Sequence, residues 1–266
     1  MKRFFLLLSS LAAVSLSGAA EQGTRPVELT LHGAYSFGDV DGFVQTPLGG
    51  APGTSSRRRP DFAELGIHDG GFYDAGLEAH WHRLGLYGAY QGIGLEGNGH
   101  LSSPLISHGV SFAAGESFQA KTRFDWLRFG GGWKFALAGG RVEIFPKADL
   151  AVLDFSYRLA GESQTASRSY AKGSFRLGLE GSWKLSPAFA LKLDGAASVP
   201  ISNTPQIDTL SATLNWLPWP RARRFRPALF FGGGAEWIDY QDNQTLPNHL
   251  RLVFGPLVTG GLAISF

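Results

Sequence analysis

The sequence predicts an all-β protein, a closed antiparallel transmembrane β-barrel of about ten strands, with short periplasmic turns and long extracellular loops. Three observations predict it. Apolar and polar residues alternate with period two through most of the chain, as strands with two unlike faces require. The mean hydropathy is only −0.04 although 13% of residues are aromatic and 44% hydrophobic, because alternating segments average their hydropathy away. The connections between alternating segments are long and polar at one end and short at the other.

At the amino terminus Lys2 and Arg3 precede an apolar run over residues 4–16 and the small residues Ser17, Gly18, Ala19 and Ala20. This pattern predicts a secretory signal peptide over residues 1–20 and one barrel domain over 21–266. The run is too short for a spanning helix, and no later stretch approaches the roughly 20 apolar residues such a helix needs. Removing the leader leaves 22 basic and 22 acidic residues, with no basic stripe for nucleic acid. The absence of cysteine excludes a lipoprotein anchor, a disulfide framework and a thiolate metal site.

The first strand is predicted over residues 27–37, where Val27, Leu29, Leu31, Tyr35 and Phe37 alternate with Glu28, Thr30, His32 and Ser36. A long Gly-, Pro- and Ser-rich loop follows over 38–71 and carries Arg57, Arg58 and Arg59. Residues 73–81 and 86–95 form a hairpin, and a second long loop runs over 97–117. In the next strand, 118–133, the apolar phase slips near Trp126 and Leu127, which predicts a β-bulge there. Further strands are expected over 141–157, 170–185, 189–199, 208–216 and 225–240, with the closing strand returning from Arg251 to Phe266. Pro146, Pro227 and Pro256 fall inside these strands, where each removes a ladder donor.

The descending strands carry Trp81, Trp133, Trp183, Trp216 and Phe266 near their lower ends, a phase that builds an interfacial aromatic girdle. The opposite phase carries acids and bases together: Asp74, Glu78 and His80; Lys121, Arg123 and Asp125; Glu143, Lys147 and Asp149; Lys172, Arg176 and Glu180; Lys192 and Asp194; Arg226 and Glu236. A charge facing lipid at mid-membrane costs roughly 2–4 kcal/mol for Arg or Lys, so these residues are assigned to the lumen. A ten-stranded barrel is only slightly wider than one whose side chains just fill it. The lumen set therefore predicts either an ion-pair plug or a narrow polar conduit.

The last residues, LVFGPLVTGGLAISF, place Leu252, Phe254, Pro256, Val258, Gly260, Leu262, Ile264 and Phe266 on one face of the closing strand. This amphipathic strand ending in Phe resembles the closing strand of Gram-negative outer-membrane β-barrel proteins. The resemblance implies localisation in the outer membrane, contact with outer-membrane lipids and lipopolysaccharide, and recognition of the terminal strand by the barrel-assembly machinery. A monomer without cofactor or metal is expected, with a structural, surface-binding or narrow-channel role.

A rim constellation offers an enzymatic alternative. Asp239, Asp242 and His249 flank the last loop, and His68 and Asp69 close the first, which is its neighbour in a closed barrel. Ten strands with Asp and His at the mouth resemble the omptin surface proteases in architecture, but no omptin sequence motif is present and no catalytic residue carries over. Lipid A deacylases and acyltransferases are also barrels that use Ser, His and acids. Ser107, His108 and Ser111 are this chain's nearest approach to that set, without an acid at a defined spacing.

Overall fold

The structure, a computed structural model, describes residues 27–56, 59–220 and 225–266. The predicted leader, Arg57, Arg58, Arg221, Arg223 and Arg224 lie outside the described residues. Ten long strands form the wall: β1 (Glu28–Gln45), β2 (Asp69–Trp81), β3 (Leu84–His100), β6 (Ser117–Trp133), β8 (Val142–Ala160), β9 (Thr165–Lys184), β10 (Phe189–Ser198), β11 (Gln206–Trp216), β12 (Arg226–Gln241) and β13 (His249–Ser265). Each pairs antiparallel with its sequence neighbour in the wall, β1 pairs with β13 and β6 with β8, so the sheet closes on itself. Short β4 (Leu105–Ser107) and β5 (Val110–Phe112) make a hairpin within the second long loop, and β7 (Phe135–Leu137) lies beside β8 in a lower turn.

The strands are longer than a membrane needs. At about 3.3 Å per residue and a tilt near 40°, the 19 residues of β8 rise roughly 50 Å, about twice the ~25 Å apolar band of such barrels. The first strand, predicted to end at Phe37, accordingly runs on to Gln45. The wall thus has a lower part clad in lipid and an upper part standing in water.

Those two parts invert their polarity. In the lower part the outward residues are apolar and exposed, among them Leu31, Leu86, Phe129, Leu177, Leu214, Phe231 and Leu262. The predicted girdle residues Trp81, Trp133, Trp183, Trp216 and Phe266 are exposed at the foot of this band. In the upper part most inward residues are apolar instead. Val40, Ile93, Leu95, Phe124, Leu153, Phe155, Ile207, Ile238 and Leu252 are buried there, joined by Phe62, Leu65 and Ile67 from the first loop and Leu101, Leu105 and Phe112 from the second. An aromatic row crosses this core from Phe62 through Phe124, Phe155 and Tyr170 to Tyr240, with successive centroids 6.4, 5.3, 4.9 and 5.2 Å apart.

The inversion corrects two expectations. The phase slip near Trp126 is not a bulge, since β6 pairs without interruption with both β3 and β8. Its apolar residues change sides because the apolar medium does, from the protein core at Phe124 and Trp126 to lipid at Leu127 and Phe129. The closing strand, by contrast, does contain an irregularity. Both of its pairings shift register opposite Gly255 and Pro256, between Gly38 and Val40 on β1 and between Gly234 and Glu236 on β12. Leu252 and Phe254 therefore point into the core, while Val258, Leu262 and Phe266 point outward, so the single apolar face expected for residues 252–266 does not exist.

Candidate functional site

The lower lumen is the polar centre of the molecule, and a cavity of about 270 Å³ lies within it. Asp74, Glu78, His80, Lys147, Asp149, Arg176, Glu180, Lys192, Asp194, Arg226 and Glu236 share the inward face, as the strand registers require. Arg176 and Asp149 meet through two bonds of 2.9 and 3.0 Å, with both side chains 2% exposed. The Tyr87 hydroxyl donates to the same carboxylate at 2.7 Å. Lys147 pairs with Asp194, Lys192 lies 3.0 Å from Glu180, and Arg226 pairs with Glu28.

Arg128 was not among the predicted lumen residues, yet it joins two parts of the network. Its guanidinium donates to Asp74 at 2.6 Å, and the other oxygen of Asp74 lies 3.0 Å from His32 Nε2. Trp126 sits directly above, its ring 5.0 Å from the Arg128 guanidinium and 4.8 Å from that of Arg176. This ring separates the charged lower lumen from the apolar upper core. Glu236 is buried at the same level, and one of its oxygens accepts a bond from Gln91 Nε2 at 2.7 Å.

Four predicted lumen residues stand elsewhere. Lys121, Arg123 and Asp125 are on the outward face of β6, since they share register rows with Arg158, Ser156 and Asp154 rather than with Asp149. Arg123 and Asp125 bond each other at 2.6 Å. Arg123 is exposed there above the lipid band and neutralises the buried Asp125, so the cost that argued for a lumen position does not arise. Lys172 is inward but in the upper part, 5.5 Å from the Tyr240 ring.

The rim residues do not gather round a common point. Asp242 is held inside its own loop, where its carboxylate accepts bonds from the backbone N–H groups of Gln244 and Asn248 and from both their side-chain amides, at 2.6–3.3 Å. His249 lies 3.3 Å from Asp239 and packs edge-on against Phe43, and all three belong to the outward face of the wall. His68 and Asp69 are exposed at the start of β2, where Asp69 lies opposite Asp39. Ser107 is buried in the small hairpin, with its hydroxyl 3.3 Å from that of Thr46.

An outward apolar band, an aromatic foot and a closed ten-stranded wall define an integral outer-membrane β-barrel protein. Among solved structures, the outer membrane protease OmpT from Escherichia coli is similar at a TM-score of 0.50 and 10% identity, covering 89% of this chain and 97% of that one. The attachment invasion locus protein Ail of Yersinia pestis is similar at a TM-score of 0.40 and 8% identity over 91% of this chain and all of that one. The translocator domain of the autotransporter NalP from Neisseria meningitidis gives 0.38 and 12%, over 98% and 95%. At these identities the likeness is one of fold. No protein-family model and no curated protein matches the chain.

Proposed function

We propose that this protein is a barrel closed to solute passage, acting as a structural or surface-binding element whose working surface is its outer wall and its first two loops. The observation that carries this reading is the filled interior. Phe62, Leu65 and Ile67 are at most 1% exposed inside the upper barrel, above Trp126 and an ion-paired lower lumen. An apolar core packed at ordinary protein density leaves no continuous aqueous path. The rim set gives the hydrolytic alternative no support, because its residues are either consumed by loop structure or turned outward.

Conductance of the refolded protein in a planar bilayer tests the reading. Folding is checked first by heat-modifiable migration on a gel. Silence from folded protein is the expected result, and Trp126→Ala combined with Phe62→Ala should introduce conductance by emptying the core. Stable single-channel conductance of the wild type, altered by Arg128→Ala, would overturn the proposal and restore the conduit.

A further inference from the structure

The upper wall carries an arrangement of bases that the closed-barrel reading does not use. On its outward face, register rows bring Lys121, Arg158 and Ser167 side by side across β6, β8 and β9, and the next row down brings Arg123, Ser156 and Ser169. Three cationic heads and three hydroxyls thus form a two-by-three lattice. Gly94 continues the lower row on β3, and a Cβ built there would meet nothing within 4 Å, so the lattice borders an open recess. A groove of about 920 Å³ runs over these residues.

The position of the lattice says what it faces. Two rows below Arg123 the same three strands present Leu127, Val152 and Gly173, then Phe129, Leu150 and Phe175, which is the lipid band. Arg123 stands four residues above Leu127, roughly 13 Å along the strand. This is headgroup depth, and the groove opens sideways from the wall.

We propose that this groove binds the phosphate groups of an outer-leaflet glycolipid. Arg guanidinium forks match phosphate oxygens in pairs, and Lys supplies a point charge beside them. Arg158 has no acidic partner among the described residues, so its fork is available. Lys121 pairs with Glu96 at 3.0 Å with both side chains largely exposed, and such a pair exchanges readily for a stronger anion. Arg123 keeps Asp125 and neutralises it. Asp154, one row nearer the lipid and exposed, and Glu96, once Lys121 leaves it, are the remaining unfavourable charges.

The test uses refolded protein in zwitterionic micelles with a chelator present and a labelled bisphosphorylated lipid A. At about one kcal/mol for each base near a lipid surface, replacing Lys121, Arg123 and Arg158 together by Gln should weaken binding about 100-fold. Arg251→Gln, which removes one base from the outward face of β13 four strands away, should leave affinity within about twofold. Asp154→Asn should strengthen binding. Dephosphorylated lipid A should bind like the triple variant, and millimolar inorganic phosphate should not compete. Equal binding by wild type and triple variant, or by phosphorylated and dephosphorylated lipid, would overturn the proposal. Full competition by inorganic phosphate would assign the groove to a soluble anion instead, and weaker binding by Asp154→Asn would remove the direct phosphate contact. The triple variant must show the wild type's heat-modifiable migration, and the Gln changes lie on an exposed face that folding does not bury.

Discussion

Arg176 stands directly opposite Asp149 on neighbouring strands, and their guanidinium and carboxylate meet fork to fork inside the barrel. With both side chains 2% exposed, each charge is stabilised by the other and not by water. Removing one partner leaves the second buried and unpaired, a loss of about 3–5 kcal/mol. Arg176→Ala should therefore lower the urea midpoint of unfolding in micelles far more than Tyr87→Phe, which loses one hydrogen bond of about 1 kcal/mol, or up to about 3 because the acceptor is charged. Replacing the pair together by Met and Leu should recover most of the loss, because no buried charge remains. Equal midpoints for Arg176→Ala and Tyr87→Phe would mean that the pair is hydrated and the lumen wetter than its geometry implies.

Arg123 and Arg128 test which way β6 faces. Five residues apart on a strand, they must point to opposite sides. Arg123→Ala removes an ion pair whose Arg is 45% exposed and whose Asp is 9% exposed, a loss between the about 1 kcal/mol of an exposed pair and the about 3 kcal/mol at which a buried one begins. Arg128→Ala leaves Asp74 inside the barrel with His32 as its remaining partner, at up to about 3–5 kcal/mol. The ratio of the two losses in the same unfolding assay reports the facing, and comparable values would place both side chains on one side.

Strand order, the closing contact and the exposure of the aromatics at the lower strand ends were legible in the sequence, because lipid outside and charge inside impose a period of two on the lower wall. The upper wall was not, since there the same alternation has the opposite sense. On β6 the run from Phe124 and Trp126 to Leu127 and Phe129 shows a phase slip without a bulge. On β13 the bulge at Gly255 and Pro256 produces no slip, because Leu252, Phe254, Pro256 and Val258 are all apolar. Alternation records which face is apolar and not which medium makes it so. The alternation therefore predicts Lys121, Arg123 and Asp125 in the lumen and does not single out Arg128, at the point of the slip. The rim set failed for a different reason: proximity in closed-barrel topology does not specify whether a strand-end side chain faces the mouth or the outer wall.

Asp242 illustrates the structural use of an acid that sequence reading took as a candidate for chemistry. Its two oxygens receive four bonds from Gln244 and Asn248 and fold the last loop back on itself. Asp242→Ala leaves those donors unmatched, and a cost of about 1–3 kcal/mol confined to the loop is expected. Limited proteolysis should reveal it as new cleavage within residues 243–247, while the heat-modifiable barrel persists. Asp242→Asn should give an intermediate result, because one oxygen acceptor survives. Unchanged proteolysis of both variants would show that the loop is held by other contacts.

The register of the closing strand rests on the close approach of β13 to β1 at Gly38. A Cβ built on Gly38 would lie 2.4 Å from the carbonyl oxygen of Pro256, a backbone atom that cannot swing away. The bulge that produces this approach uses Gly255 at φ +146°, a region that L side chains rarely adopt. Gly38→Ala must therefore displace the closing strand just where its inward residues change from Leu257 below to Phe254 above. Overpacking of this kind costs about 1–3 kcal/mol, and here it acts on the seam between first and last strands. Gly33→Ala on the same strand meets nothing within 4 Å and faces lipid, so it should leave stability within about 0.5 kcal/mol of the wild type. Unfolding midpoints of the two variants in one detergent check the contrast. A neutral Gly38→Ala would show that β1 and β13 lie farther apart at the bulge, and that the seam tolerates the register without the glycine.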